Sequence, residues 1–362
     1  MLVGLGAAAW VWWQSGKPAA PTPKPLARPG ISATQAIVQP KPPLVKRQSQ
    51  PPPTVVPIPP PRPVAPPGTE LPPPGAFPRP VQNVFEAQLA LARLGISSGS
   101  LDGLIGPQTR AALRAFQQKE RLAVSGELDA ATKERLLLAA PPYAAYLVTT
   151  NDLARLQPLS RTWLGKSQQT ALDYETILEL VAEKGHAHPN LIRQLNPAID
   201  WTNVAAGTSL RLPDVAYADA SPKAAFATIS LADKVLEAFD ANTNLLAHFP
   251  CSIAQRVEKR PVGELHVIKI APNPNYTFDP DVFPESAEAR QIKTKLILPP
   301  GPNNPVGVAW ISLDKPGYGI HGTPSPEQVG RTESHGCFRL ANWNAEYLIK
   351  LVWVGMPVYV EP

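Results

Sequence analysis

Between residues 81 and 140 apolar positions recur every three or four residues. In "VQNVFEAQLALARLG" the residues Val84, Ala87, Leu91 and Leu94 share one helical face, and Gly95 ends the run. In "GPQTRAALRAFQQKERL" Gly106 suits an N-cap and Pro107 the first helical position. Leu113 and Phe116 fall on one face there, and Ala112 allows close packing. "SGELDAATKERLLLA" predicts a turn at Gly126 and a third short helix from about Asp129. Further on, Ile177, Leu180 and Val181 predict a helix that ends at Gly185. Leu191, Ile192 and Leu195 form a second apolar group ending at "LNP", and "AGTSLRLP" reads as a turn into a strand. From about Lys223 the period shortens to two. "FATISL", "KVLEAFD", "LLAHFPCSI", "LHVIKI", "GVAWISL", "GYGIHGT" and "PVYVEP" predict strands, and "NAEYLIKLV" a short helix before the last of them. Some 140 residues of this kind can bury their own core, and they predict a compact β-domain of sandwich or barrel type.

Before residue 81 neither period is present. Residues 17–80 hold 23 of the 46 prolines, with eight Lys/Arg against the single acid Glu70. Runs such as "QPPPTVVPIPPPRP" favour polyproline II and cannot donate ladder hydrogen bonds. A linker of this length and stiffness reaches on the order of 200 Å. It also carries the net charge: about +7 of it, so that a chain of +5 leaves about −2 for the rest. A basic pI would ordinarily suggest nucleic acid, but these cations are scattered along a proline tract and form no folded basic face. No nucleic-acid partner is expected. The opening "MLVGLGAAAWVWWQSG" has an apolar run, Leu2 to Trp13, too short to span a bilayer and preceded by no Lys or Arg. With Trp12 and Trp13 at its end it reads as an export signal or membrane anchor. The expected organisation is an anchor or signal at 1–16, a linker at 17–80, a helical domain at 81–140, a small α/β segment at 165–216 and a β-domain at 223–362.

The chemistry concentrates in the β-domain. His321 ends the apolar segment "YGIHGT", and Cys337 lies 16 residues later in "ESHGCFRL". A thiol becomes a strong nucleophile as thiolate, and a neighbouring imidazole can take its proton and hold the ion pair. His321 is the candidate base. His335 and Arg339 each lie two residues from Cys337, a step that puts all three on one face of a strand. Arg339 would favour thiolate and could hold a substrate carboxylate. Gly336 lets the backbone approach closely, so the N–H groups of Gly336 and Cys337 are the candidate oxyanion donors. No acid stands at a telling offset to orient His321, which leaves a backbone carbonyl near Gly322 or Thr323. Other fates of Cys337 are an inert buried thiol, a zinc ligand with His321 and His335, or a disulfide with Cys251. No fourth zinc ligand stands at a standard spacing, and the His186/His188 pair has no Cys or acid partner in a fixed pattern. No metal and no cofactor is expected.

These residues carry three resemblances. "LDGLIGPQTRAALRAFQ" and "SGELDAATKERL", with Asp102, Gly103, Gly106, Thr109, Phe116, Gln117, Gly126 and Thr132, resemble the peptidoglycan-binding domain type 1 over residues 83–138. Leu195, Asn196, Pro197, Gly207, Thr208, Leu210 and Pro213 resemble a lysin motif, a binder of N-acetylglucosamine polymers. "RPVGELHVI", "PPGPNNPVGVAWISL", "YGIHGT" and "SHGCFRL" resemble the L,D-transpeptidase catalytic domain over about residues 225–361. The last resemblance implies a cysteine enzyme acting on peptidoglycan stem peptides, with Cys337 as nucleophile and His321 as base. Arg339, His335, Ser334, Gly322, Thr323 and Tyr318 would bind substrate or support the site. The implied reaction is ping-pong: a donor tetrapeptide acylates Cys337, D-alanine leaves, and an amine takes the acyl group. Water as acceptor would make an L,D-carboxypeptidase, and loss of turnover would leave a wall-binding scaffold. The implied partners are peptidoglycan stem peptides and glycan, and through the N-terminus a membrane. The implied place is the cell envelope or periplasm, with an inner-membrane anchor. Residues 271–295, rich in aromatics and prolines, read as a lid, a substrate wall or a plain surface loop.

Overall fold

A computed structural model describes residues 77–217, 220–283, 286–332 and 336–362. The expected anchor and nearly all of the linker lie outside the described residues, as do Ser334 and His335.

Helices α1 (Val84–Arg93), α2 (Pro107–Lys119) and α3 (Ala130–Arg135) form the first unit. Gly106 precedes Pro107 at the start of α2, and the Asp129 side chain accepts from Thr132 N to start α3. Strands β1 (Arg79–Pro80) and β2 (Leu137–Leu138) pair to tie the ends together. Two buried glutamines pin the turns. Gln88 accepts from Asp102 N and Gly103 N and donates to Asp102 Oδ1 and Thr109 Oγ1. Gln117 accepts from Gly126 N and donates to Thr132 Oγ1. Many of the motif residues here therefore serve turns. Leu94 is 43% exposed, although its spacing puts it with the apolar face, because it is the C-cap residue where the chain turns away.

The second unit runs β3 (Tyr143–Leu147), α4 (Thr150–Ala154), α5 (Trp163–Ser167), α6 (Ile177–Lys184), α7 (Pro189–Leu195) and β4 (Ser209–Pro213), with β3 antiparallel to β4. Strand β3 starts well before residue 165. Its "YAAYL" has no fully buried position and so leaves no alternating signal. Ile177, Leu180, Val181, Ile192 and Leu210 share one apolar core with Leu89, Leu91 and Leu113 of the first unit.

The strand-rich unit contains β5 (Phe226–Ser230), β6 (Val235–Phe239), β7 (Leu245–Pro250), β8 (Gly263–Pro272), β9 (Tyr276–Phe278), α8 (Ala287–Gln291), β10 (Leu296–Leu298), β11 (Ala309–Leu313), β12 (Gly319–His321), β13 (Phe338–Arg339), α9 (Asn342–Leu351) and β14 (Pro357–Glu361). Eight of these strands make one sheet in the order β13-β12-β11-β8-β14-β5-β6-β7. One continuous sheet carries all eight strands and curls back on itself, as in the barrel-like alternative: Ser252, just after β7, pairs antiparallel with Arg339 of β13. The ten-residue β8 explains this: residues 263–266 pair with β14 and residues 267–272 with β11, so a single strand joins both halves. The sheet and α9 enclose Phe249, Ile311, Phe338, Leu348 and Val358. The aromatic stretch at 271–295 is not a plain loop. Strands β9 and β10 pair as a hairpin, and Phe278 stacks on Trp163 of α5 at 4.4 Å between ring centroids.

The units are docked. Ser97 N donates to His248 O and His248 N donates to Gly95 O, which covers the β7 edge of the sheet. His186 stacks on Trp343 of α9, 5.0 Å between centroids, and His188 Nδ1 accepts from Asn190 N at the start of α7. Both imidazoles of the His186/His188 pair thus have packing or capping roles.

Candidate active site

Strands β12 and β13 are parallel neighbours with Ile320 opposite Phe338 and His321 opposite Arg339. Ile320 and Phe338 are each 1% exposed and belong to the core. Alternation along a strand then turns His321 and Arg339 to the opposite face, and Cys337 directly precedes β13. The pairing of two short apolar anchors therefore sets the segments that carry the thiol and the imidazole, 16 residues apart in the chain, side by side.

His321 is buried. Its Nδ1 lies 2.6 Å from Gly322 O, so Nδ1–H donates there and Nε2 is left as the acceptor. Its ring stacks on Trp310, opposite it in the β11–β12 register, at 5.4 Å. A Cβ on Gly319 would lie 2.6 Å from the Trp310 ring, so glycine is required there for the indole to lie flat. Burial lowers the His321 pKa to about 4; the Gly322 carbonyl opposes the shift and the Arg339 charge adds to it.

Cys337 is half-buried, and its thiol donates to Gly317 O at 3.5 Å. Burial pushes the thiol up, against the Gly319 N–H and the Arg339 charge, which both pull it down. Arg339 is held at lowered pKa by burial while both sulfurs act on its charge in the opposite sense. Its backbone pairs with Ser252 in both directions at 2.9 Å. Cys251 is fully buried and raised to about 12 by desolvation, and no disulfide joins it to Cys337.

The resting pair thus differs from the thiolate–imidazolium pair the sequence suggests. An imidazole near 4 does not hold a proton taken from a thiol above its ordinary value, so both groups rest neutral. Alkylation of Cys337 by iodoacetamide should accelerate about tenfold per pH unit between pH 6 and 8. A rate flat across that window would mean a thiolate already formed.

The supporting residues are placed as follows. Gly322 N donates to Ala309 O, and Thr323, buried, donates its N–H to Asn342 Oδ1 at 3.0 Å. The Tyr318 ring lies beside Gly336, and Lys315 sits over its face. Ser334 and His335 fall outside the described residues. The sequence reading missed four neighbours: Trp310, Gly317, Asn342 and Tyr276. Tyr276, on the hairpin, has its phenol raised to about 12, by burial first and then by the nearby Cys337 and Asp279. The apolar alternation of "GVAWISL" hinted at Trp310 and the aromatic stretch 271–295 at Tyr276; nothing local pointed to Asn342. A cavity of ≈ 350 Å³ opens beside Pro324 and Ser325, with Arg161, Lys166, Glu175 and Glu179 in its lining. Among the described residues no cluster of His, Cys, Asp or Glu has the form of a metal site.

Two families match the chain. Residues 224–360 match YkuD, described as L,D-transpeptidase catalytic domain, and residues 80–136 match "Putative peptidoglycan binding domain". The chain is 26% identical over 185 residues to "Putative L,D-transpeptidase YkuD" of Bacillus licheniformis, a match covering 51% of this chain and 93% of that one. It is 27% identical over 180 residues to "Probable L,D-transpeptidase ErfK/SrfK" of Escherichia coli, covering 49% of this chain and 57% of that one. The solved L,D-transpeptidase 3 of Mycobacterium tuberculosis aligns over 44% of this chain and 77% of its own, at 16% identity and a TM-score of 0.31. Residues 224–360 are thus similar to the YkuD family of L,D-transpeptidase catalytic domains, and residues 80–136, ahead of them, to a putative peptidoglycan-binding domain.

Proposed function

We propose that Cys337 and His321 carry the reaction of this L,D-transpeptidase domain, with a peptidoglycan stem tetrapeptide as acyl donor and an amine as acceptor. One observation carries the assignment: a buried imidazole, its Nδ1 tied to Gly322 O, ends one strand, and a half-buried thiol directly precedes the neighbouring, parallel-paired one. As the donor carbonyl arrives, His321 Nε2 takes the thiol proton while sulfur bonds to the carbonyl carbon of the diamino acid. Backbone N–H groups of Gly336 and Cys337 hold the oxyanion. The C–N bond then breaks, and His321 returns the proton to the departing D-alanine amine. An acceptor amine attacks the thioester, gives its proton to His321 and regenerates the thiol. The cations Arg339, Arg161 and Lys166 suit the carboxylates of stem peptides.

The peptidoglycan-binding domain and the lysin-motif-like unit raise the local concentration of wall polymer at the site. The β3–α6–α7–β4 arrangement, with β3 paired to β4, supports the lysin-motif reading. Substrate of this kind places the enzyme in the cell envelope or periplasm. Residues 1–16 would fix it there as signal or inner-membrane anchor, and the proline arm would set its reach.

Incubation of the full chain with disaccharide-tetrapeptide tests the proposal. Free D-alanine and an amine-linked muropeptide dimer are expected in equal amounts. Disaccharide-tripeptide with D-alanine but no dimer would replace the amine by water, and no D-alanine at all would leave a wall-binding scaffold.

A further inference from the structure

Asn342 opens α9 three residues after Arg339, the last residue of β13, and it is 1% exposed. Its Oδ1 accepts from Thr323 N at 3.0 Å and Val308 N at 3.3 Å. Its Nδ2 donates to Pro302 O at 3.2 Å and to Glu183 Oε1 at 3.0 Å. Two N–H donors on one side and two oxygens on the other admit one orientation of the amide. Thr323 directly follows Gly322, whose carbonyl takes the Nδ1–H of His321. One side-chain amide therefore ties three segments together: the turn that orients the imidazole, the loop at residues 302–308, and helix α6. Backbone crowds it closely, because a Cβ on either Gly307 or Gly322 would strike Asn342 Oδ1.

Glu183 comes from outside both matched segments, on α6 of the lysin-motif-like unit. We propose that Glu183, acting through Asn342, is a positioning residue for His321: it holds the Gly322–Thr323 turn where the Gly322 carbonyl fixes the imidazole with Nε2 as acceptor. The unit that reads as a wall binder is then also a working part of the catalytic centre. This inference rests on the catalytic reading of His321.

Three consequences follow from the contacts. Removing the carboxyl leaves a buried amide N–H of Asn342 without one of its two acceptors, and the amide re-orients to recover a partner. Thr323 and Gly322 shift with it, and a catalytic group displaced by about 1 Å costs on the order of 10²-fold in rate. The form of Glu183 also sets which substitution should rescue. Burial, opposed by the Asn342 hydrogen bond and the Arg155 charge and aided by the Glu179 and Glu346 charges, raises its pKa to about 8. Near neutral pH it is largely the uncharged acid, and glutamine reproduces its accepting oxygen.

The experiment measures kcat, KM and the pH profile of D-alanine release for the full chain, with Cys337→Ala as the blank. Glu183→Ala is expected to lower kcat about tenfold, with KM changed less than about twofold. Its acid limb should move from about 4 toward the ordinary imidazole value as the loosened ring becomes hydrated. Glu183→Gln should recover most of the lost kcat. Should Glu183→Ala not fold, Glu183→Met keeps the side-chain bulk without the oxygens and serves the same comparison. A folded Ala or Met variant with wild-type kcat and an unmoved acid limb overturns the proposal, and so does a Gln variant as impaired as Ala. If Cys337→Ala itself releases D-alanine like the wild type, the catalytic reading has failed. If it is inactive while the Glu183 variants behave as wild type, only the positioning role has.

Discussion

Replacement of Cys337 by alanine is expected to abolish D-alanine release, by at least about 10³-fold, while leaving the fold intact. The substitution deletes only the sulfur. That atom is half-buried and donates to Gly317 O, whereas the strand is held by the β12 pairing, by the buried Phe338 and by the Ser252–Arg339 backbone pair. Far-ultraviolet circular dichroism and the unfolding midpoint should therefore match the wild type. Cys337→Ser should be nearly as inactive, because a hydroxyl is a far weaker acid than the thiol and His321 is a weak base at rest. Cys251→Ala provides the contrast. That thiol is sealed in the core with its pKa pushed up to about 12, so its loss should cost stability and leave turnover in place. Wild-type turnover in folded Cys337→Ala would remove the sulfur from the mechanism.

Substitution of His321 by glutamine should lower kcat by about 10²–10⁴-fold, with a much smaller change in KM. Glutamine can still donate toward Gly322 O and fill space against Trp310, but it has no basic nitrogen. The wild-type pH profile checks the same residue. Because burial lowers His321 to about 4, its base form persists from pH 5 upward, and kcat/KM should fall only as pH drops through about 4. An acid limb near 6.5 would mean a solvated imidazole and would contradict the burial of the ring. Stability moves in the same window. The folded-state value lies below the unfolded one, near 6.5, so the unfolded chain binds the proton first. The contribution of His321 is complete above about pH 6.5 and is lost as pH falls from there toward 4. His186, lowered to about 3 by burial, adds a loss of the same sign. Denaturant titrations of His321→Gln should show a shallower decline across this range than the wild type.

Most secondary structure in the folded part was legible because its period is local. Helices α1, α2, α6 and α7 announce themselves by apolar spacing and by caps at Gly106 and Gly185, and β5 to β7 by alternation. Illegible pieces were those with no internal signal. Strand β3 has no buried position of its own and exists because β4 pairs with it. The β9–β10 hairpin is held by Trp163, more than a hundred residues earlier in the chain. The continuous sheet turns on β8 exchanging partners midway, which no spacing within β8 records.

By itself the sequence named the cast of the chemistry: a histidine ending one short apolar strand and a cysteine just before another, each beside glycine, with a peptidoglycan-binding motif upstream. Tertiary structure alone decided how that cast is charged and held. Burial of His321 and Cys337 makes both rest neutral, and burial is a property of packed segments distant in the chain. Trp310, Tyr276, Asn342 and Glu183 reach the site from four different elements, and no local pattern encodes their meeting. Dihedral preference and apolar period act over a few residues, whereas desolvation and hydrogen-bond satisfaction depend on whatever the completed fold brings alongside.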